Sequence, residues 1–300
     1  MTRHLLEVVD LTAAEVRAVL ELAARPPEVL GRPLEGQGAA LLFEKPSART
    51  RHSTEMAVVQ LGGHPIYTRD EEVGLDSRES VEDVTRVLQG YHRVLAARVY
   101  EHEKLTRMAK VADVPVVNLL SDRAHPLQAL ADALTMEQVL GGPLSGRLVA
   151  YVGDYNNVAR SLAEVCLLLG ATVRFACPHG YQWDDAERER LQALGDVTMT
   201  GRPAEAVAGA DFVHTDTWVS MGQEADAQIR KQAFEGFTVD DALMDLAAPD
   251  ARFLHCLPAY RGLEVAAEVI DGPRSVVFQQ GHNRLHAARA AIAFLLGIRP

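Results

Sequence analysis

The segment Phe43-Glu44-Lys45-Pro46-Ser47-Ala48-Arg49-Thr50-Arg51 gathers two hydroxyls, Ser47 and Thr50, and two guanidiniums, Arg49 and Arg51. It lies between a small apolar run, Gly38–Leu42, and a segment, His52–Leu61, that reads as a helix ended by Gly62-Gly63. The order is therefore strand, tight polar turn, helix N-terminus. Such an N-terminus presents unpaired backbone N–H groups and a partial positive charge, which suits an anion. Arginine adds a planar fork that matches phosphate oxygens. Two cations at that end oppose the helix dipole, and an anion between them relieves the conflict.

Four more polar clusters follow apolar, strand-like runs. His125-Pro126-Leu127-Gln128 comes after Val114–Leu119, and Gly153-Asp154-Tyr155-Asn156-Asn157 after Leu148–Val152. Asp216-Thr217-Trp218-Val219-Ser220-Met221-Gly222 comes after Asp211–Thr215, and His255-Cys256-Leu257-Pro258 after Ala251–Leu254. Open parallel α/β sheets bind ligands at the carboxyl ends of their strands, where all five clusters would sit. Arg98, closing the run Val94–Arg98, belongs to the same set.

Other chemistries fit less well. Cys256 as a covalent nucleophile needs a histidine beside its sulfur, and strand alternation turns the adjacent His255 to the opposite face. His282 and His286 are four apart on an expected helix, but Asn283 stands where a zinc-protease glutamate would be, so no metal is expected. Gly153-Asp154 lacks the glycine pattern of a dinucleotide loop. Cys166 lies in the apolar run Val165–Leu169 and reads as core.

In order and spacing, from about Leu5 to the C-terminus, these segments resemble the aspartate/ornithine carbamoyltransferase family, on its ornithine side. Ser47–Arg51 is similar to the family's Ser-Thr-Arg-Thr-Arg phosphate motif. His255-Cys256-Leu257-Pro258 is similar to its His-Cys-Leu-Pro motif, and Asp216-x3-Ser220-Met221-Gly222 to its ornithine loop. The resemblance implies that Ser47, Ala48, Arg49, Thr50, Arg98, His125, Gln128, Cys256, Leu257 and Arg284 bind carbamoyl phosphate. It implies that Asn157 (Asn156 being the alternative), Asp216, Ser220 and Met221 hold ornithine, and that Arg98, His125, Cys256 and Asp216 are catalytic. The implied reaction moves the carbamoyl group to the δ-amine of ornithine, giving citrulline and phosphate in arginine metabolism. Sequential binding, domain closure and a tetrahedral intermediate come with it, as do a homotrimer or multiple of trimers, a cytoplasmic location and no cofactor. Three positions depart from the pattern: Ala48 stands for a threonine, Gly74 for a glutamine and His282 for a glutamate.

The acceptor side argues for ornithine over its analogues. Asp216 repels the second carboxylate of aspartate, putrescine has no carboxylate, and N-acetylornithine has no free α-ammonium. A binding protein without turnover is the alternative of a different class, and it has no need of Arg98, His125, Gln128, Cys256 and Arg284 together.

The elements that must position these residues alternate along the chain. Thr12-Ala13-Ala14-Glu15 is a capping box opening a helix to Ala24, and Ser80 caps another to about Tyr91. Arg69–Arg78 is polar and reads as a mobile loop. Helices are expected over about His102–Val111 and Leu127–Leu140. Gly141-Gly142-Pro143-Leu144-Ser145-Gly146 marks a boundary. After it come strand 147–153, helix 157–169, strand 171–177 and helix 184–194, with later strands ending at Phe212–Thr215, Phe253–His255 and Val276–Phe278. The fold class is α/β: two parallel-sheet domains, 1–141 for carbamoyl phosphate and a Rossmann-like 146–280 for ornithine, with a cleft between them. The C-terminal helix, from about 283 to 296 within 283–300, is expected to pack back on the first domain. Ser220–Phe237 is expected to act as a lid.

Composition bounds the class. Of 300 residues 48% are hydrophobic and 24% charged, and the net charge is −11, which disfavours a nucleic-acid surface. The three cysteines show no paired spacing, so no disulfide framework is expected. No run suggests a membrane span, and the N-terminus lacks the apolar core of a signal peptide.

Overall fold

The computed structural model describes residues 2–219 and 224–300. The chain forms two compact units, one of Met1–Leu134 with His282–Pro300, the other of Thr135–Gly281. The first holds strands β1 (Gly38–Phe43), β2 (His64–Arg69), β3 (His92–Arg98) and β4 (Val116–Leu120). The second holds β5 (Leu148–Val152), β6 (Thr172–Ala176), β7 (Val197–Thr200), β8 (Phe212–Thr215) and β9 (Arg252–His255). All pairings between these strands are parallel, in the orders β2-β1-β3-β4 and β7-β6-β5-β8-β9.

Both sheets have a point where strand order reverses, between β1 and β3 and between β5 and β8. Helices leaving adjacent strands there go to opposite faces and leave a crevice at the strand ends. Thr50 and Arg98 stand at the first crevice, and Asn156 and Asp216 at the second.

Near-continuous apolar strands are what sheets covered on both faces require. Ala40, Leu42, Leu95, Ala97 and Val116 pack with Val81, Val84, Leu105 and Met108 in the first unit. Ala150, Val152, Val213 and Phe253 pack with Val207, Phe234, Met244 and Ile270 in the second.

Local signals explain most helix starts. Thr12 Oγ1 accepts the Glu15 N–H while Glu15 Oε2 accepts the Thr12 N–H, and Ser80 Oγ accepts the Asp83 N–H. Arg69–Arg78, expected as a loop, instead contains the helix Asp70–Val73, with Glu72 Oε2 accepting the Arg69 N–H at 2.8 Å. Acidic residues crowded into one turn favour a helix N-terminus. The strand expected at Val276–Phe278 is absent from the described structure: the helix Val277–Leu295 begins there. Only the Phe253 amide and carbonyl pair with this stretch, through Arg274 O and Val276 N. A short Val-Val-Phe run fits a strand or a buried helix turn equally well. Strand β7 and the helix Pro203–Val207 had no clear sequence signal.

The units divide inside the helix Pro126–Leu140, upstream of the Gly141–Gly146 stretch. In the first unit Arg289, 1% exposed, bonds Gln60 Oε1 at 2.8 Å and the Arg25 carbonyl at 2.7 Å. Arg289→Ala would leave these half-buried acceptors without their partner, at up to about 1–3 kcal/mol each. Its unfolding midpoint in urea should fall clearly below wild type; an unchanged midpoint would show that these bonds contribute nothing net. Among the described residues no helix is long and apolar enough to cross a membrane.

Candidate functional site

In the first unit, Ser47 is the N-cap of the helix Ala48–Gln60. Its extended backbone (φ −159°, ψ 110°) lets Oγ accept the Thr50 N–H at 3.3 Å, and Oγ also meets Thr50 Oγ1 at 3.1 Å. The turn before it is braced by Glu44, which accepts the Tyr100 N–H at 2.7 Å and pairs with Lys104 at 2.6 Å.

Thr50 Oγ1 is a meeting point. Arg98 Nη1, from the end of β3, lies 3.5 Å away, and Arg284 Nη2, from the helix Val277–Leu295, lies 3.2 Å away. Arg284 Nη1 also donates to Gln128 Oε1 and sits 3.3 Å from His125 Nε2. Gln128 Nε2 donates to Asp132 Oδ1 at 2.7 Å, which fixes the amide's orientation. Arg98, His125, Gln128 and Arg284 are all buried. Two guanidiniums converging at a capped helix N-terminus form an anion cradle.

Burial, then the charges of Arg284 and Arg98, hold His125 well below the ordinary histidine pKa. The imidazole is therefore neutral near pH 7. With Arg284 donating, Nε2 accepts in this arrangement and the ring proton sits on Nδ1.

Two expected cations differ in placement. Arg49 and Ala48 are exposed in the first helical turn. Arg51 turns away: its Nε donates to Glu55 at 2.8 Å and its guanidinium lies 3.8 Å from the Tyr67 ring centroid. Position i+4 on a helix puts Glu55 in Arg51's reach, a competition the motif alone did not reveal. His282 is exposed beside buried Asn283 and Arg284.

In the second unit the polar residues again sit just past strand ends. Asp216 follows β8 and is 6% exposed. Its Oδ1 accepts the Thr217 N–H at 2.8 Å and lies 3.0 Å from Cys256 Sγ, while Oδ2 accepts from Asn156 Nδ2 at 2.9 Å. Asn156 is the N-cap of the helix Asn157–Leu168. Sequence reasoning put the weight on Asn157, which is half-buried in the first helical turn. An Asn just before a helix uses its side chain as the cap, and Asn156 takes that role. Ser220 and Met221 lie outside the described residues. Of the expected lid, the described part includes the helix Ala227–Ala233, whose Arg230 pairs with Asp154 and donates to the Trp218 carbonyl.

Ligand-capable atoms of Asp216, His255 and Cys256 lie within 4.8 Å of one another, the group of three with metal spacing among the described residues. Strand alternation was expected to separate His255 from Cys256, but β9 ends at His255 and the alternation ends with it. His255 Nδ1 accepts the Leu257 N–H at 2.9 Å, and Nε2 lies 3.3 Å from Glu264 Oε1. Both ring nitrogens are thus engaged, which disfavours His255 as a metal ligand or as a base for Cys256. Instead it shapes the turn, in which Leu257 adopts a left-handed conformation with φ 57°. That conformation is uncommon for a side-chain-bearing residue and clusters at functional sites.

Comparison with known proteins agrees with both halves. A family model described as aspartate/ornithine carbamoyltransferase, carbamoyl-P binding domain, matches residues 3–138. A second, described as aspartate/ornithine carbamoyltransferase, Asp/Orn binding domain, matches residues 145–295. The chain is 48% identical to a Thermus thermophilus protein named ornithine carbamoyltransferase, over 99% of this chain and 97% of that one. An Acidothermus cellulolyticus protein of the same name is 47% identical over 99% and 97%. The solved structure of ornithine carbamoyltransferase from Pyrococcus furiosus aligns with TM-score 0.92 at 43% identity, covering 99% of this chain and 98% of that one. An anion cradle in one unit, a carboxylate–thiol pair in the other, and these likenesses along nearly the whole length place the chain in the aspartate/ornithine carbamoyltransferase family.

Proposed function

We propose that this chain transfers the carbamoyl group of carbamoyl phosphate to the δ-amine of L-ornithine, giving L-citrulline and phosphate in arginine synthesis. The observation that carries the reading is the junction of Asp216 with Cys256 and Asn156, on a chain whose other unit presents Arg98 and Arg284 at Thr50.

Ser47, Thr50, the first-turn N–H groups at Ala48 and Arg49, and Arg98 hold the phosphate. Arg98 and Arg284 also polarise the carbonyl, and Gln128 holds the carbamoyl amide. Neutral His125 adds an Nε2–H in its other tautomer. In that tautomer Nε2 and Arg284 both donate, so both turn to substrate oxygens, where they stabilise the oxyanion. Asp216 with Ser220 holds the α-ammonium, and Asn157 with the Met221 amide holds the carboxylate. The resemblance supports Cys256 and Leu257 as further contacts of the carbamoyl group, with Cys256 beside the attacking amine.

The amine must lose a proton first, because an alkylamine of pKa about 10.4 is only about one part in a thousand neutral at pH 7.4. The Cys256–Asp216 pair takes that proton. The amine nitrogen then attacks the carbonyl carbon, a tetrahedral intermediate forms, and the carbon–oxygen bond to phosphate breaks. Sequential binding and closure of the units keep water from carbamoyl phosphate. The family resemblance supports a cytoplasmic homotrimer or multiple of trimers, which sedimentation would test.

Cys256→Ser should lower kcat by roughly 10² and shift the pH profile, since a serine hydroxyl is far less acidic than a thiol and exchanges a proton with Asp216 far less readily. Full rate with an unchanged profile would remove Cys256 from the proton transfer. The test of the whole reading is citrulline formation at about pH 8, where more of the amine is neutral, with aspartate, putrescine and N-acetylornithine in parallel. Turnover with ornithine alone is expected. Turnover with another amine overturns the acceptor assignment, and carbamoyl phosphate binding without any turnover would make the chain a binding protein.

A further inference from the structure

We infer that Asn156 is a positioning residue that sets the rotation of the Asp216 carboxylate, an inference resting on the reading of Asp216 as the acceptor-side carboxylate. The Asn156 side chain is held at both ends. Its Oδ1 accepts the N–H groups of Val158 at 2.9 Å and Ala159 at 3.1 Å, so its Nδ2 has to face Asp216 Oδ2, 2.9 Å away. The two backbone donors settle the amide's orientation, since a flipped amide would set N–H against N–H.

Asp216 needs such a partner. The last torsion of an aspartate is broad and roughly two-fold, so packing alone fixes it poorly. Oδ1 has to face Cys256 for the pair to handle a proton, and it does so at 3.0 Å, with the Thr217 N–H on the same oxygen. Asn156 holds the other oxygen. It thereby joins the helix leaving β5 to the end of β8 across the strand-order reversal. Asn156 acts through Asp216 and need not touch the acceptor.

Two substitutions separate this role from helix capping, because Asn, Asp and Ser cap comparably. Asn156→Ser keeps the cap and loses the reach to Asp216. Asn156→Asp keeps the cap and turns an acceptor and a like charge toward Asp216. Asn156→Ser should keep close to the wild-type melting temperature, Asn156→Asp should lose some through the like charge beside Asp216, and both should keep KM for carbamoyl phosphate. Citrulline formation should fall about 10- to 100-fold in kcat/KM for ornithine in Asn156→Ser, the loss of one hydrogen bond to a charged group, and further in Asn156→Asp. Putrescine, which keeps both amines of ornithine but lacks its carboxylate, separates indirect from direct action. In each variant the ratio of putrescine's inhibition constant, measured as a competitor of ornithine, to the KM for ornithine should stay at its wild-type value. A ratio collapsing toward unity would make Asn156 the carboxylate ligand and overturn the inference. Wild-type activity in Asn156→Asp would reduce it to a cap and overturn it too. Wild-type protein forming no citrulline would instead defeat the functional reading itself, and this inference with it.

Discussion

Replacing Arg284 by methionine will lower kcat/KM for carbamoyl phosphate by roughly 10²–10⁴-fold while leaving the fold in place. Methionine fills the space of the arginine stem without its charge. The guanidinium meets Thr50, Gln128 and His125 at once. Two charge-assisted bonds to the substrate, at about 1.5–3 kcal/mol each, give the expected range. A second readout follows from His125. Burial first, then Arg284 and Arg98, depress its pKa. With one positive neighbour gone the pKa rises, so protonated His125 appears at higher pH, and the acid limb of the pH–rate profile moves toward neutrality. A variant as active as wild type would remove Arg284 from the site. A lower rate with an unmoved acid limb would keep the substrate contacts and reject the coupling to His125.

Asp216→Asn is the counterpart on the acceptor side. A carboxylate accepts on both oxygens: Asn156 on one, Thr217 N–H and the Cys256 thiol on the other. An amide has a single acceptor, so one side is left donor against donor. The variant also loses the charge that faces the α-ammonium. Breaking a buried charge pair costs about 3–5 kcal/mol, so kcat/KM for ornithine should fall on the order of 10²–10⁴-fold. Thermal stabilisation by carbamoyl phosphate should remain, because its proposed guanidinium ligands, Arg98 and Arg284, belong to the other unit. Loss of that stabilisation would show a general defect rather than a lost acceptor contact.

Much of this was legible in the sequence because the chemistry sits at strand ends. A short apolar strand followed by Ser47–Arg51, His125 or Asp216 shows both the element and where its last residues must lie. What was not legible depends on neighbours distant in sequence or on competition within one turn. Arg51 looked equivalent to Arg49 until Glu55 and Tyr67 were seen to hold it. Asn156 and Asn157 could not be told apart by type, and the helix start makes Asn156 the cap. His255 escaped the alternation rule because its strand stops there. At Val276–Phe278 three apolar residues fitted two conformations, and only the extent of the following helix separated them.

The division of the chain has a consequence for its synthesis. The first unit is assembled from Met1–Leu134 and His282–Pro300, and the second is one unbroken stretch between them. A ribosome delivers chain from the N-terminus onward, and domains fold as they become complete. The second unit can finish while the first is still waiting. The first needs the final segment for Arg289 to reach Gln60 and for Arg284 to reach Thr50. The anion cradle thus forms later than the second unit, and a nascent chain cannot present it before the stretch carrying Arg284 has left the ribosome.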